Sequence, residues 1–286
     1  AASDVYKRQF LSPSWEYVPE ITSARSFHVI GVDWDKYGAG TNIVVLEVCS
    51  HNYEDPRFAG KVRVSYREEI NKSEYTLTKA VDRIIELNKL LNPKHIYVDR
   101  GFGEVQVELL KKHGVEHPES KLKDRVKGVG FGESIDVRDP YTKLIIKKEM
   151  KPFMVDNLRQ YLEKELITFP ETDEELYMQL ISYVVVRTTS SGRPVFEAGG
   201  SAVDHAHDAL MLALLSITQN YGEFTKTNFA SHTETFSSKL IADMYKEEKD
   251  DDFEVKNSIG NRVQALAPAK IGKAKKTGTR ISRKMF

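Results

Sequence analysis

The sequence predicts an α/β fold: a mixed sheet in which an antiparallel three-strand meander continues into parallel strands, flanked by helices. Three observations predict it. Three runs rich in β-branched residues follow one another between residues 27 and 70, separated by short polar loops. After them, strand-like and helix-like segments alternate, the order expected of a sheet covered on both faces. Finally, VDHAHDALMLALLSI (203–217) is apolar around most of its circumference from Ala209 onward, so as a helix it belongs inside a core.

The first run, FHVIGVD, ends at Asp33, and WDKYGAGT reads as a loop. NIVVLEVCSH (42–51) is the second strand and GKVRVSYREEI (60–70), with clearer alternation, the third. Residues 75–92 form a helix, because Ala80, Ile84, Leu87 and Leu91 make one stripe and Pro93 stops it. HIYVD (95–99) is a buried strand. RGFG is a tight loop, and EVQVELLKKHG (104–114) is a helix with Gly114 just past its end. VKGVGF (126–131) is a further strand, and 132–147 holds a hairpin turning at Asp139-Pro140. A helix over 150–166 leads to ITF, a short edge strand. Residues 173–189 begin helical and turn strand-like at Tyr183–Arg187. SSGRP is a turn and VFEAG a strand, before the apolar helix, for which Asp204 is the expected N-cap.

Residues 1–25 read as a linker leading into the fold, their first nine, AASDVYKRQ, as foreign to it, and 26–220 as the folded domain. Residues 221–286 are a polar C-terminal region with an acidic run, EEKDDDFE, and a basic tail expected to be disordered. The net charge of zero hides a segregation: residues 265–286 carry seven Lys or Arg and no acid. Without them 35 basic residues face 42 acidic ones, a balance near −7. Such a body does not bind duplex by bulk charge, so contact with nucleic acid needs local patches, metal ions or the tail. One cysteine, Cys49, excludes an internal disulfide framework and a cysteine-based zinc cluster. No run approaches the ~18–20 apolar residues of a membrane span, and no signal-peptide core precedes the fold, so no membrane partner and an intracellular setting are expected.

Were strands 27–33 and 95–99 parallel neighbours, Asp33 and Asp99 would emerge side by side at their carboxyl ends, the edge where open α/β sheets build sites. Asp208 sits on the first turn of the most buried helix. Three carboxylates so placed repel one another and are desolvated unless cations neutralise them. Hard oxygen donors without cysteine select Mg²⁺ or Mn²⁺, and two such ions ~4 Å apart suit in-line hydrolysis of a phosphodiester.

GVDWDKYGAGTNIVVLEV, HIYVDRGFGE and VDHAHDALMLALL together resemble the three acidic motifs of the RNase H-like nuclease domain of phage large terminase subunits. KPFMVDNLRQYLEKELITFP and LISYVVVRTTSSGRPVFEAGG resemble that family's approach to its last motif, and the likeness covers roughly residues 26–219. It implies an RNase H-like fold, with Asp33, Asp99 and Asp208 as catalytic acids holding two Mg²⁺ or Mn²⁺ ions. It implies an endonuclease that cuts concatemeric double-stranded DNA during viral genome packaging in the host cell cytoplasm, with a portal protein and a small terminase subunit as partners. His205 matches a histidine that some members carry three residues before the last aspartate. The family's ATPase domain is missing: no GxxxxGK[ST] loop occurs, so the chain reads as the nuclease half of a longer protein.

Plainer readings stand beside these. Asp204 serves as an N-cap or as a neighbour of the metal. His205 positions water or is a satisfied polar residue, and Asp35 is a loop residue with at most a supporting role. Lys143, Lys147 and Lys148 meet phosphate or line a solvated surface. GVGFG (128–132) lacks the GxGxxG spacing of a dinucleotide loop. The rival functions are another RNase H-like enzyme, a Holliday-junction resolvase or recombinase, and a non-catalytic module docking on a portal or capsid.

Overall fold

The structure, a computed structural model, describes residues 6–220 apart from 12–13, 36–39, 72–76, 102, 139–141, 143, 190–193 and 200–202. Expectations for residues 1–5, for the Asp139-Pro140 and SSGRP turns, for Lys143 and for 221–286 therefore lie outside the described residues.

The elements follow in chain order: β1 (Phe10–Leu11), β2 (Ser26–Asp35), β3 (Gly40–Cys49), β4 (Val62–Asn71), α1 (Leu77–Leu91), β5 (His95–Asp99) and α2 (Glu104–Glu116). A 3₁₀ turn (Pro118–Ser120), α3 (Leu122–Arg125), β6 (Val126–Val129), β7 (Ser134–Arg138), β8 (Ile145–Glu149) and α4 (Met150–Glu163) come next. The described chain closes with β9 (Ile167–Pro170), α5 (Glu174–Ser182), β10 (Tyr183–Thr188), β11 (Pro194–Ala198) and α6 (His205–Gln219). One sheet runs β1-β9-β4-β3-β2-β5-β6, and β7–β8 and β10–β11 are separate hairpins. β2, β3 and β4 form the expected antiparallel meander, and β2, β5 and β6 are parallel.

Period-two alternation divides the sheet between two helical layers. Ile30, Val32 and Trp34 of β2, Ile43 and Val45 of β3, and Ile96 and Val98 of β5 face one layer. There Ala80, Ile84, Leu87 and Leu91 of α1 meet Val107 and Leu110 of α2 in a single buried cluster. The opposite face receives α6, which packs across β2, β3 and β5 with α4 against its flank. Every residue of α6 from Ala206 to Ile217 is buried. Gly31 makes this approach close: a Cβ there would overlap the Ala209 carbonyl oxygen and lie 2.6 Å from the Ala213 nitrogen.

Several expectations are corrected. β2 does not stop at Asp33 but runs to Asp35, because buried Trp34 continues the alternation and pairs with Thr41. β9 is no edge strand: Phe10–Leu11 pairs outside it, Phe10 stacking on Phe169 at 4.7 Å, and all four β9 residues are buried. Gln9, set aside with the first nine residues, is buried and its carbonyl accepts the Phe169 amide. A two-residue strand is too short to leave a period in the sequence. Gly114 lies inside α2, not beyond it, where a Cβ would overlap the backbone nitrogen of Lys123; it permits the crossing of α3.

Gly31→Ala is expected to destabilise the fold by about 1–3 kcal/mol, the usual cost of overpacking. Thermal melting measures it, and an unchanged melting temperature would show that α6 does not rest on Gly31.

Candidate active site

The parallel register pairs Gly31 with Tyr97 and Val32 with Val98, so the next step sets Asp33 beside Asp99. Alternation turns Asp33 to the α6 face, with Gly31. Because Ala209 rests on Gly31, the residue before it, Asp208, is held at the level of Asp33. Three carboxylates from three elements thus share one edge of the sheet, only 5%, 6% and 6% exposed for Asp33, Asp99 and Asp208.

The electrostatics confirm the proximity. The carboxyl of Asp33 is pushed up to about 7, first by burial and then by the charges of Asp208 and Asp99, against the opposing hydrogen bond from His205. Nδ1 of His205 lies 2.8 Å from Oδ2 of Asp33, in hydrogen-bond contact. Oδ1 of Asp99 accepts the Gly101 amide at 3.0 Å. Oδ2 of Asp208 accepts from Lys151 Nζ at 3.3 Å, while His207 Nδ1 lies 3.4 Å from its Oδ1.

Of the supporting residues expected, His205 is in the site. Asp204 holds the N-cap position of α6, but its side chain makes no capping bond. Gln179 of α5 caps the helix instead, its Oε1 accepting from Ala206 N at 3.0 Å and His207 N at 3.1 Å. α5 is itself anchored: Asp173 accepts from the Leu176 amide and from Arg67 of β4. Asp35 ends β2 opposite Gly40. Lys147 and Lys148 lie on β8, which runs directly into α4; Lys147 is exposed beside Ile145, and Lys148 is half-buried.

Sequence reasoning missed Lys151, Gln179 and Tyr183. Lys151 did carry a signal, since a cation in the first turn of a helix opposes the helix dipole and points to a nearby carboxylate. Its ammonium lies 5.2 Å from the Phe131 ring centroid and 5.7 Å from that of Tyr183. Tyr183 stacks on His207 at 3.8 Å, and burial with the charges of Asp208 and Asp204 pushes its phenol well up, so it stays protonated. Neither Gln179 nor Tyr183 is marked by local pattern, because each acts across more than twenty residues.

Among the described residues no group of three or more His, Cys, Asp or Glu side chains is already arranged to hold a metal ion. The chemistry of the donors nevertheless fits a hard divalent cation: three buried carboxylates, one of them raised by burial and by the charges of the other two, with one ammonium and one imidazole set against them. No helix of the described residues is long and apolar enough to cross a membrane.

No protein-family model matches the chain, and no curated protein matches it. Solved structures do. The large terminase nuclease from thermophilic phage G20c is 18% identical with a TM-score of 0.53, covering 77% of this chain and 96% of that one. The same nuclease with bound magnesium is 19% identical, TM-score 0.52, covering 75% and 95%. With bound cobalt it is 18% identical, TM-score 0.51, covering 75% and 96%. At this identity the likeness is one of fold: the mixed sheet flanked by helices is the RNase H-like fold of large terminase nuclease domains.

Two outcomes are expected. With its carboxyl raised above the ordinary ~3.9, Asp33 holds a proton in the folded chain that the unfolded chain has released. The stability of metal-free protein therefore falls as pH rises from about 4 to about 7. Asp33→Asn flattens that slope and melts higher than the wild type at pH 8 without metal; an equal or lower melting temperature would contradict the assignment. Gln179→Ala removes the cap of α6 and is expected to cost about 1 kcal/mol, a fall of about 2–4 °C in melting temperature.

Proposed function

We propose that the chain is a metal-dependent endonuclease of a viral genome-packaging terminase, cutting concatemeric duplex DNA. The observation that carries this reading is the convergence of Asp33, Asp99 and Asp208 on one buried sheet edge. The shared fold with large terminase nucleases, one solved with bound magnesium, supports it.

In this reading Asp33, Asp99 and Asp208 hold two Mg²⁺ or Mn²⁺ ions. When bound, the ions supply an activated water as nucleophile and charge stabilisation for the leaving oxygen of the phosphodiester. The protein's own part is positioning. Asp33, set beside Asp99 across the strands and facing Asp208, would be the central acid of the set that holds the ions. His205 fixes the orientation of the Asp33 carboxylate through its 2.8 Å contact. Lys151 pairs with Asp208 and would set a positive charge beside the phosphate backbone of DNA at this edge. No side chain need act as nucleophile. The phenol of Tyr183, pushed up by burial and carboxylate charge, neither attacks nor takes a proton at neutral pH.

Duplex DNA reaches this edge beside the β7–β8 hairpin, where Lys147 and Lys148 offer sequence-independent contacts to phosphate. Among the described residues no helix of DNA-reading character stands at the edge, so cleavage is expected to be little dependent on sequence. Within the chain, 26–220 is the nuclease domain, to which Phe10–Leu11 adds an outer strand, and 221–286 remains for the portal protein and small terminase subunit that the same reading supplies as partners.

Plasmid nicking in Mn²⁺ tests the proposal. Asp33→Ala, Asp99→Ala and Asp208→Ala are each expected to slow nicking about a thousandfold or more, which is ~4 kcal/mol of lost transition-state stabilisation, and chelation to abolish it. Undiminished nicking by Asp33→Ala would overturn the site. A strong preference for four-way junctions over linear duplex would make the enzyme a resolvase, and no cleavage with intact portal binding would make the domain a docking module.

A further inference from the structure

The row of acids does not end at Asp33. In the antiparallel register of β2 and β3, Asp33 pairs directly with Asn42. Ile43 and Val45 face the α1 layer, so alternation turns Asn42 toward α6, the face that carries Asp33. Directly paired antiparallel residues hold their Cβ atoms about 4.5–5.5 Å apart. Asp99, Asp33 and Asn42 thus cross three adjacent strands at one level.

Asn42 is only 2% exposed, and among the described residues its Oδ1 meets no hydrogen-bond donor. A buried amide oxygen left without a donor costs about 1–3 kcal/mol. Asparagine is also a poor strand residue, and this one directly precedes a run of Ile43, Val44, Val45 and Leu46, each fully buried. Packing alone would favour an apolar side chain here. The feature that distinguishes the position is its neighbour: the orphaned neutral oxygen stands directly across from the buried carboxylate of Asp33.

We propose that Asn42 supplies a neutral oxygen donor to the cation site around Asp33, a proposal that rests on reading this edge as metal-dependent. Amide oxygens are hard donors suited to Mg²⁺ and Mn²⁺. A neutral one adds to the coordination of the site without adding to the mutual repulsion of its three acids. The orphaned oxygen is then satisfied only when the site is loaded.

Calorimetric titration of Mn²⁺ into metal-free wild type, Asn42→Ala, Asn42→Asp and Asp33→Ala tests this. Thermal melts of the four metal-free proteins run alongside. Asn42→Ala is expected to weaken Mn²⁺ binding about tenfold, the low end of the effect of losing a supporting group at a metal site. Its metal-free melting temperature should not fall, and Asn42→Asp should bind at least as tightly as the wild type. Equal affinity in wild type and Asn42→Ala, with binding lost in Asp33→Ala, would overturn the role of Asn42 and leave the proposed function standing. A lower metal-free melting temperature with unchanged affinity would assign Asn42 to folding alone and overturn it equally. Wild type and Asp33→Ala binding Mn²⁺ alike would remove the cation site itself, and this proposal with it.

Discussion

The backbone of α6 lies directly on Gly31, and the site depends on that contact. Any side chain at this position would displace the helix, since a Cβ overlaps the Ala209 carbonyl. Asp208 is one residue before the contact on the helix, and Asp33 two residues after it on the strand. The buried length of α6, from Ala206 to Ile217, acts as an anchor whose registration against β2 is set at one glycine. The parallel pairing of β2 with β5 then brings in Asp99.

Holding three carboxylates in a buried edge works against stability, and the surroundings offset only part of that. His205 hydrogen-bonds with Asp33, while Lys151 donates to Asp208 and the Gly101 amide to Asp99. These partners leave Asp33 lifted to about 7. The helix terminus itself is served by Gln179, not by a carboxylate, which leaves Asp204 without a capping bond. The arrangement is one in which positive charge is wanted, and a divalent cation is the compact way to supply it.

Much of this was legible in the sequence because it is written in local period. Each strand of the meander, the stripe of α1, HIYVD and the apolar helix announce themselves within fifteen residues or fewer, and with them the placement of Asp33, Asp99 and Asp208. What was not legible depends on distant partners or on pieces too short to show a period. Phe10–Leu11 turns ITF from an edge strand into an interior one. Trp34 extends β2 because a pocket for its ring exists on the far face. Gln179 replaces the expected cap from twenty-seven residues away. Gly114, an end signal by composition, lies within α2 because α3 crosses there. Asn42 looked like the polar start of a strand until the register set it beside Asp33.

That Asp33, Asp99 and Asp208 form one cation site is tested most directly by a crystal soaked in Mn²⁺. Anomalous difference maps are expected to show manganese bound by Asp33 together with Asp99 and Asp208, with the ammonium of Lys151 displaced from Asp208. Manganese elsewhere on the chain, or none at this edge under saturating soak with the Lys151–Asp208 contact intact, would contradict it.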